Sequence, residues 1–380
     1  MKRLFLLGLV CVFSSCLQAQ VVDTTVCDVI KNPTSFNGKI VRIKGTVTAD
    51  FDQFVVKNAT CDERVNSIWL SYPEGSKAKS GPVAILELQP AANFTGTVPA
   101  VTRTPVTLDK SKDFKQFDSL LAAPAKLNGM CLGCGRYEVS ATLVGRLDGV
   151  DAKIGRDKSG KIVSISGFGN MNQFSARLVL QSVSDVTSKE IDYSTAVAAS
   201  KEESTAAGPG SADPVDANRK AAAAYGVTTD PGKDLIRCAD AFPKPKENSG
   251  VIVFNGNLNE AAAKDDAKGA KESPDGVLYN VGFNTNRLSG DAIVRAYAHM
   301  GKHVADLRTP EKGNENLGIY DLEFRAWSTT IMGAVAYGQK TLTLPGGIML
   351  WNNAWATADR NNFVEKAIKG FLRSQEILSR

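Results

Sequence analysis

The stretch from Thr187 to Gly232 reads TSKEIDYSTAVAASKEESTAAGPGSADPVDANRKAAAAYGVTTDPG. Ala, Ser, Thr, Gly and Pro dominate it, and large apolar side chains are scarce. Such a segment buries too little surface to offset the entropy of ordering it. It predicts a disordered linker over 187–232, flexible, with at most a short helix at Ala221–Ala224. The linker divides the 380 residues into an N-terminal domain at 22–186 and a C-terminal domain at 233–380. With 43% apolar residues overall, both parts have material for a core. No internal repeat is found.

The N-terminal domain reads as strands. A short helix is expected at 24–31, stopped by Asn32-Pro33 because proline disfavours helix in the residue before it. From Ile40 to Thr48, Val41, Ile43 and Val47 face one way and Arg42, Lys44 and Thr46 the other, the period of a half-buried strand. Further strands are predicted at Gln53–Lys57, Ser67–Ser71, Val83–Leu88, Tyr137–Leu147, Lys161–Gly167 and Arg177–Ser182, with a helical turn near 113–122. Many short strands without alternating helices mean a mainly β fold, a barrel or a sandwich.

The C-terminal domain mixes types and reads as α+β. Strands are predicted at Val251–Asn255, Gly276–Phe283, Leu317–Thr330, Gly333–Tyr337 and Lys340–Leu344. A helix is predicted from Ser289 to Leu307, where Ile293, Ala296, Tyr297, Met300, Val304 and Leu307 form one apolar stripe. A second is predicted from Ala358 to Leu378.

Residues 1–19 have the three parts of a secretory leader: basic Lys2 and Arg3, an apolar run from Leu4 to Phe13, then small residues to Ala19. An alternative leader ends at residue 15 and leaves Cys16 as a lipid anchor. The run is too short to span a bilayer, and no later run is long enough. The expected location is therefore exported, periplasmic or extracellular, with an outer-membrane lipoprotein as the alternative. Setting Lys2 and Arg3 aside, the 45 basic and 40 acidic residues leave a balance of only +3, so no nucleic-acid partner is expected. Five cysteines remain after the leader: Cys27, Cys61, Cys131, Cys134 and Cys238. Export favours disulfides, and Cys27, Cys61, Cys131 and Cys134 are the candidates.

Four short motifs carry candidate chemistry. Cys131-Leu132-Gly133-Cys134 fits a redox dithiol, half a zinc site or a structural disulfide; without a βαβ setting, the structural reading is preferred. The chain's two histidines, His299 and His303, stand at i and i+4 on the predicted helix, a spacing that can hold a metal. Met300 stands where zinc peptidases carry their general base, and the pair falls at the edge of the apolar stripe, so core histidines are the preferred reading and no cofactor is expected. Gly155-Arg156-Asp157-Lys158-Ser159-Gly160-Lys161 mimics a phosphate loop but continues with Ile162, and reads as a hairpin turn. Ser76-Lys77-Ala78-Lys79 matches SxxK by letters alone.

The segments Val26-Cys27-Asp28-Val29-Ile30, Asn32-Pro33, Phe36-Asn37-Gly38-Lys39 and Val41 to Val47 are distinctive. So are Ile68 to Tyr72 after Cys61, Val139 to Arg146, Gly167 to Asn170 and Arg177 to Val183. Together, over 22–186, they resemble an uncharacterised family of exported acidobacterial and proteobacterial proteins with an OB-fold-like envelope domain. The resemblance implies a small OB-like β-barrel and no known activity. In such a barrel Phe51, Phe54, Trp69, Tyr72, Phe168 and Phe174 would be candidates either for a ligand face or for core and barrel-end packing, and Gly167 to Gln173, with Asn170, for a ligand loop. In the C-terminal domain Trp351-Asn352-Asn353-Ala354-Trp355 pairs two indoles with two amides, a set that suits a sugar or the packing of the last helix. The reading is an exported, non-enzymatic envelope protein that binds a protein or glycan. The alternatives are a carboxylate-dependent hydrolase with its site in the C-terminal domain, and a structural or assembly factor.

Overall fold

Strand β2 (Ile40–Ala49) realises the alternation of its sequence, with Val41, Ile43 and Val47 buried. It opens a five-stranded barrel with β3 (Phe54–Lys57), β4 (Ser67–Ser71), β6 (Tyr137–Gly149) and β9 (Ala176–Glu190). The order is β2-β3-β4-β9-β6, and β6 returns to β2, so the sheet closes. Only the β4–β9 pairing is parallel among these five. A two-residue strand β1 (Val22–Asp23) adds in parallel to β2. The computed structural model describes residues 20–58, 67–101, 104–126, 133–192, 250–256, 273–284, 286–287, 291–310 and 317–336.

Helix α1 (Val26–Lys31) starts at Thr25, whose hydroxyl oxygen accepts the Asp28 N–H, and ends at Asn32 before Pro33. Helix α2 (Lys112–Ala122) is capped by Ser111 and presses Phe114, Phe117 and Leu121 into the barrel core. Closure needs a local irregularity in β6. A Cβ on Gly145 would lie 2.3 Å from the Val179 carbonyl oxygen, so only glycine fits beside the register shift there. Strand β9 continues to Glu190, four residues into the stretch expected as linker, because it keeps its ladder with β6 to the Tyr137–Glu190 pair.

A second sheet unites strands from before and after residues 193–249. Strand β5 (Ala84–Pro90) pairs antiparallel with β11 (Val277–Asn284), which pairs parallel with β10 (Val251–Gly256). Against it lies α3 (Asp291–Arg308), close to the helix expected at 289–307, and α4 (Ile319–Ala336) packs on α3. Their shared core holds Phe51, Leu86, Tyr279, Phe283, Tyr297, Met300 and Trp327. The hairpin β7 (Lys153–Arg156) and β8 (Ile162–Ser166) packs there too. Its turn is organised by the Asp157 carboxylate, which accepts the Ser159 and Lys161 N–H groups, so the phosphate-loop mimic is a hairpin.

One element differs in kind from its expectation. Leu317–Thr330 and Gly333–Tyr337 read as strands, yet Ile319–Ala336 is the helix α4. Its buried positions, Leu322, Glu323, Ala326, Trp327, Thr329 and Thr330, follow the helical period, and packing on α3 overrides the strand propensity of its aromatic and β-branched residues. The expectations at Lys340–Leu344 and Ala358–Leu378 lie outside the described residues, as does most of 187–232. No described helix is long and apolar enough to cross a membrane.

Candidate metal centre

Two helices and one barrel loop bring four ligand-type side chains together. His299 and His303 lie one turn apart on α3, so both rings leave the same face. Glu323 stands in the second turn of α4, on the stripe that packs against α3. Asp52 comes from the turn between β2 and β3, whose neighbour Phe51 is sunk in the helix-side core. One ligand atom from each of the four lies within 4.8 Å of all the others. Both histidines are 0% exposed and Glu323 is 2% exposed, while Asp52 is half-buried.

The separations among His299, His303 and Glu323 suit one shared ion. The two Nε2 atoms are 3.0 Å apart, and Glu323 offers Oε2 to His299 Nε2 and Oε1 to His303 Nε2, each at 3.6 Å. With metal–ligand distances of about 2.0–2.1 Å, separations of 3.0 and 3.6 Å subtend roughly 95° and 120° at a shared ion, on either side of the tetrahedral angle. The second coordination position of the ring is also prepared. The Thr330 hydroxyl donates its one hydrogen to the Ala326 carbonyl at 2.8 Å. Its oxygen, 3.1 Å from His299 Nδ1, must therefore accept from Nδ1–H. That fixes the His299 tautomer and leaves Nε2 as a bare lone pair aimed at the cluster. The ring is held from its sides by Phe51 at 4.9 Å and Trp327 at 4.5 Å between centroids.

Burial dominates the electrostatics of the four groups. Burial pushes His299 down to about 3. Burial, and then neighbouring His299, hold His303 well below the usual range. Both rings are thus neutral ligands. Burial pushes the Glu323 carboxyl up to about 8. Burial, then Glu323 and Asp50, hold Asp52 well above the usual carboxylate range, and the two carboxyl groups are hydrogen-bonded to each other. Two buried carboxyls at this separation share protons unless a positive charge enters between them. A dication supplies that charge, and two imidazole nitrogens with two carboxylate oxygens are a donor set suited to zinc and its first-row neighbours. Beside the centre, Asp306 pairs with Lys302 at 3.6 Å and with Arg325 at 2.8 Å, tying α3 to α4.

Most of the residues that the sequence singles out lie in the core. The histidines expected at the edge of the apolar stripe are wholly inside, because the Asp52 loop and α4 cover that edge. Trp69, Tyr72, Phe168 and Phe174 are 2–7% exposed and pack inside the barrel rather than lining a face. Trp69 meets Phe174 at 5.3 Å, Tyr72 lies between Phe54 and Phe114, and Phe168 carries Arg177 over its ring. Asn170 is 0% exposed and serves β5. Trp351, Trp355, Cys61, Cys131 and Cys16 lie outside the described residues. Cys27 lies in α1, and Cys134 is buried ahead of β6. Sequence reading missed Asp52 and Glu323. Glu323 would have been found by continuing the histidine stripe into a second helix, had α4 been read as one. Asp52 carries no local signal, since its partners are about 250 residues away along the chain.

Comparison with protein-family models, curated proteins and solved structures finds no match for this chain.

Proposed function

We propose that this protein binds one transition-metal dication, zinc by donor set, through Asp52, His299, His303 and Glu323, and that the ion clamps the helix pair onto the barrel. The observation that carries the reading is the convergence of two buried imidazoles, His299 with its tautomer fixed by Thr330, and two carboxyls, from three separate elements, within 4.8 Å. Four protein donors fill a tetrahedral shell, which is the pattern of a structural site rather than a catalytic one. Met300, fully buried, occupies the place of the zinc-peptidase base. Both facts support a non-enzymatic protein. The barrel order β2-β3-β4-β9-β6, with α2 in the connection before β6, supports an OB-like barrel. The leader-like residues 1–19 support work in the envelope, where an ion and disulfides would brace the chain together. An envelope protein or glycan partner rests on residues 351–355 alone, because the barrel aromatics are enclosed.

A second reading has one observation behind it. His299, His303 and Glu323 by themselves make the set of two histidines and one carboxylate found in catalytic zinc sites. If Asp52 withdraws, a water takes the fourth position and the hydrolase alternative returns. Calorimetric titration of chelator-stripped full-length protein with zinc tests the first reading. One site per chain is expected, and His303→Ala and Glu323→Gln should weaken it by more than 100-fold. A stripped wild-type protein that takes up no zinc, cobalt or manganese refutes it. Zinc-dependent hydrolysis of peptide or ester probes by the wild type would favour the second reading.

A further inference from the structure

Asn170 and Asn172 lie in one tight loop, closed by paired backbone bonds between Phe168 and Phe174. The loop is held to its path by glycine: Gly169 has φ +70°, and a Cβ there would lie 2.4 Å from the Trp69 ring. Both asparagines are buried, at 0% and 8% exposure. Both use their side-chain oxygen in the same way. The Leu86 N–H donates to Asn170 Oδ1 at 3.0 Å, and the Leu88 N–H donates to Asn172 Oδ1 at 2.8 Å. The amides thus stand in for a missing strand along the second edge of β5. With the oxygen committed, each amide's orientation is settled by its network, and the nitrogen must face the other way.

The two nitrogens then part company. Asn172 Nδ2 returns to the Leu88 carbonyl at 3.0 Å and completes a strand-like pair. Asn170 Nδ2 leaves β5 and meets Asp52 Oδ2 at 3.2 Å. Covering β5 does not need that bond. It restrains the rotation of the one ligand that is half-buried and carried by a loop, the ligand with the most freedom to leave. We infer that Asn170 is the positioning residue that holds Asp52 in the fourth ligand place, and so sets whether the metal centre is closed or open to water. The inference rests on the metal-binding reading. Outer-shell partners of this kind change metal affinity by about 10–100-fold.

Asn172 is the built-in control, since it shares the loop, the burial and the bond to β5 but not the bond to Asp52. The experiment uses full-length wild type, Asn170→Asp, Asn170→Ala, Asn172→Ala and Asp52→Asn, each loaded with cobalt(II) as a spectroscopic probe and titrated with zinc. Asn170→Asp keeps an acceptor for the Leu86 N–H, so the loop retains its anchor while the donor to Asp52 is lost. Wild type and Asn172→Ala should give the intense visible absorption of tetrahedral cobalt and agree in zinc affinity within about 2-fold. Both Asn170 variants should lose about 10–100-fold in zinc affinity and shift to the weaker spectrum of a water-bearing ion, as Asp52→Asn does. Unchanged spectrum and affinity in the Asn170 variants overturn the inference. So does an Asn172→Ala protein that behaves like Asn170→Ala, because the loop as a whole would then be responsible. A wild type that binds neither ion overturns the metal-binding reading, and the role of Asn170 falls with it.

Discussion

Replacing Phe51 by alanine separates the barrel from the helix pair. Phe51 is 0% exposed, and its ring contacts belong to the helix side: His299 at 4.9 Å and Trp327 at 5.3 Å. Truncating a fully buried Phe costs about 3–5 kcal/mol. Two aromatic contacts, worth about 0.5–1.5 kcal/mol each, put this site in the upper half of that range. Phe54→Ala is the matched control. Phe54 is 2% exposed, lies three residues on, and packs in the barrel core against Tyr72. Both variants should lose similar stability in urea with chelator present. They should differ in what zinc restores. At a zinc concentration 100 times the wild-type Kd, binding stabilises the native state by about 2.7 kcal/mol. Removing Phe51 unpins the loop that carries Asp52. A tenfold weaker Kd at the same zinc concentration leaves only about 1.4 kcal/mol. Phe54→Ala should keep the full gain. The measurement is the urea midpoint by circular dichroism, with and without zinc. Equal zinc gains in the two variants, or a Phe51→Ala cost below about 1 kcal/mol, would refute the reasoning.

Asp148, 0% exposed, accepts from Arg146 at 2.7 Å and Arg177 at 2.7 Å, so Asp148→Asn should lower stability by about 3–5 kcal/mol in denaturant titration, by leaving two guanidinium groups against a neutral amide. Burial, and then Asp118, hold the Tyr72 phenol well above 10. The folded chain therefore keeps a proton that the unfolded chain releases, and stability should fall as pH rises from about 10 toward the folded value. Tyr72→Phe should flatten that alkaline fall in thermal melts, and an unchanged slope would show that Tyr72 is not its source.

How much is legible in the sequence depends on the range of each interaction. Val41, Ile43 and Val47 announce β2 because alternation is local, and the stripe from Ile293 to Leu307 announces α3 for the same reason. Residues 319–330 carry Ile, Tyr, Phe, Trp and Thr in a density that favours a strand by composition, and only contact with α3 shows which period governs. The loop at 167–173 reads as a ligand loop because it is polar and glycine-bearing. Its polarity serves β5 instead, as a substitute for strand pairing. The metal centre is half visible. A histidine pair at i and i+4 is a local pattern, whereas the meeting of residues 52 and 323 depends on the β5–β11 ladder, which no short-range pattern encodes.

That ladder has a consequence for synthesis. The stretch up to β9 leaves the ribosome well before β11 exists, and β5 then presents an open edge with Leu86 and Leu88 still wet. Bare edges accept whatever strand arrives first. Within one molecule β11 follows on the same chain at a high effective concentration, which dilute neighbours cannot match. At high concentration they can, and a neighbour's β11 fits as well as the chain's own. The bare β5 edge is therefore where strand exchange between crowded copies would begin.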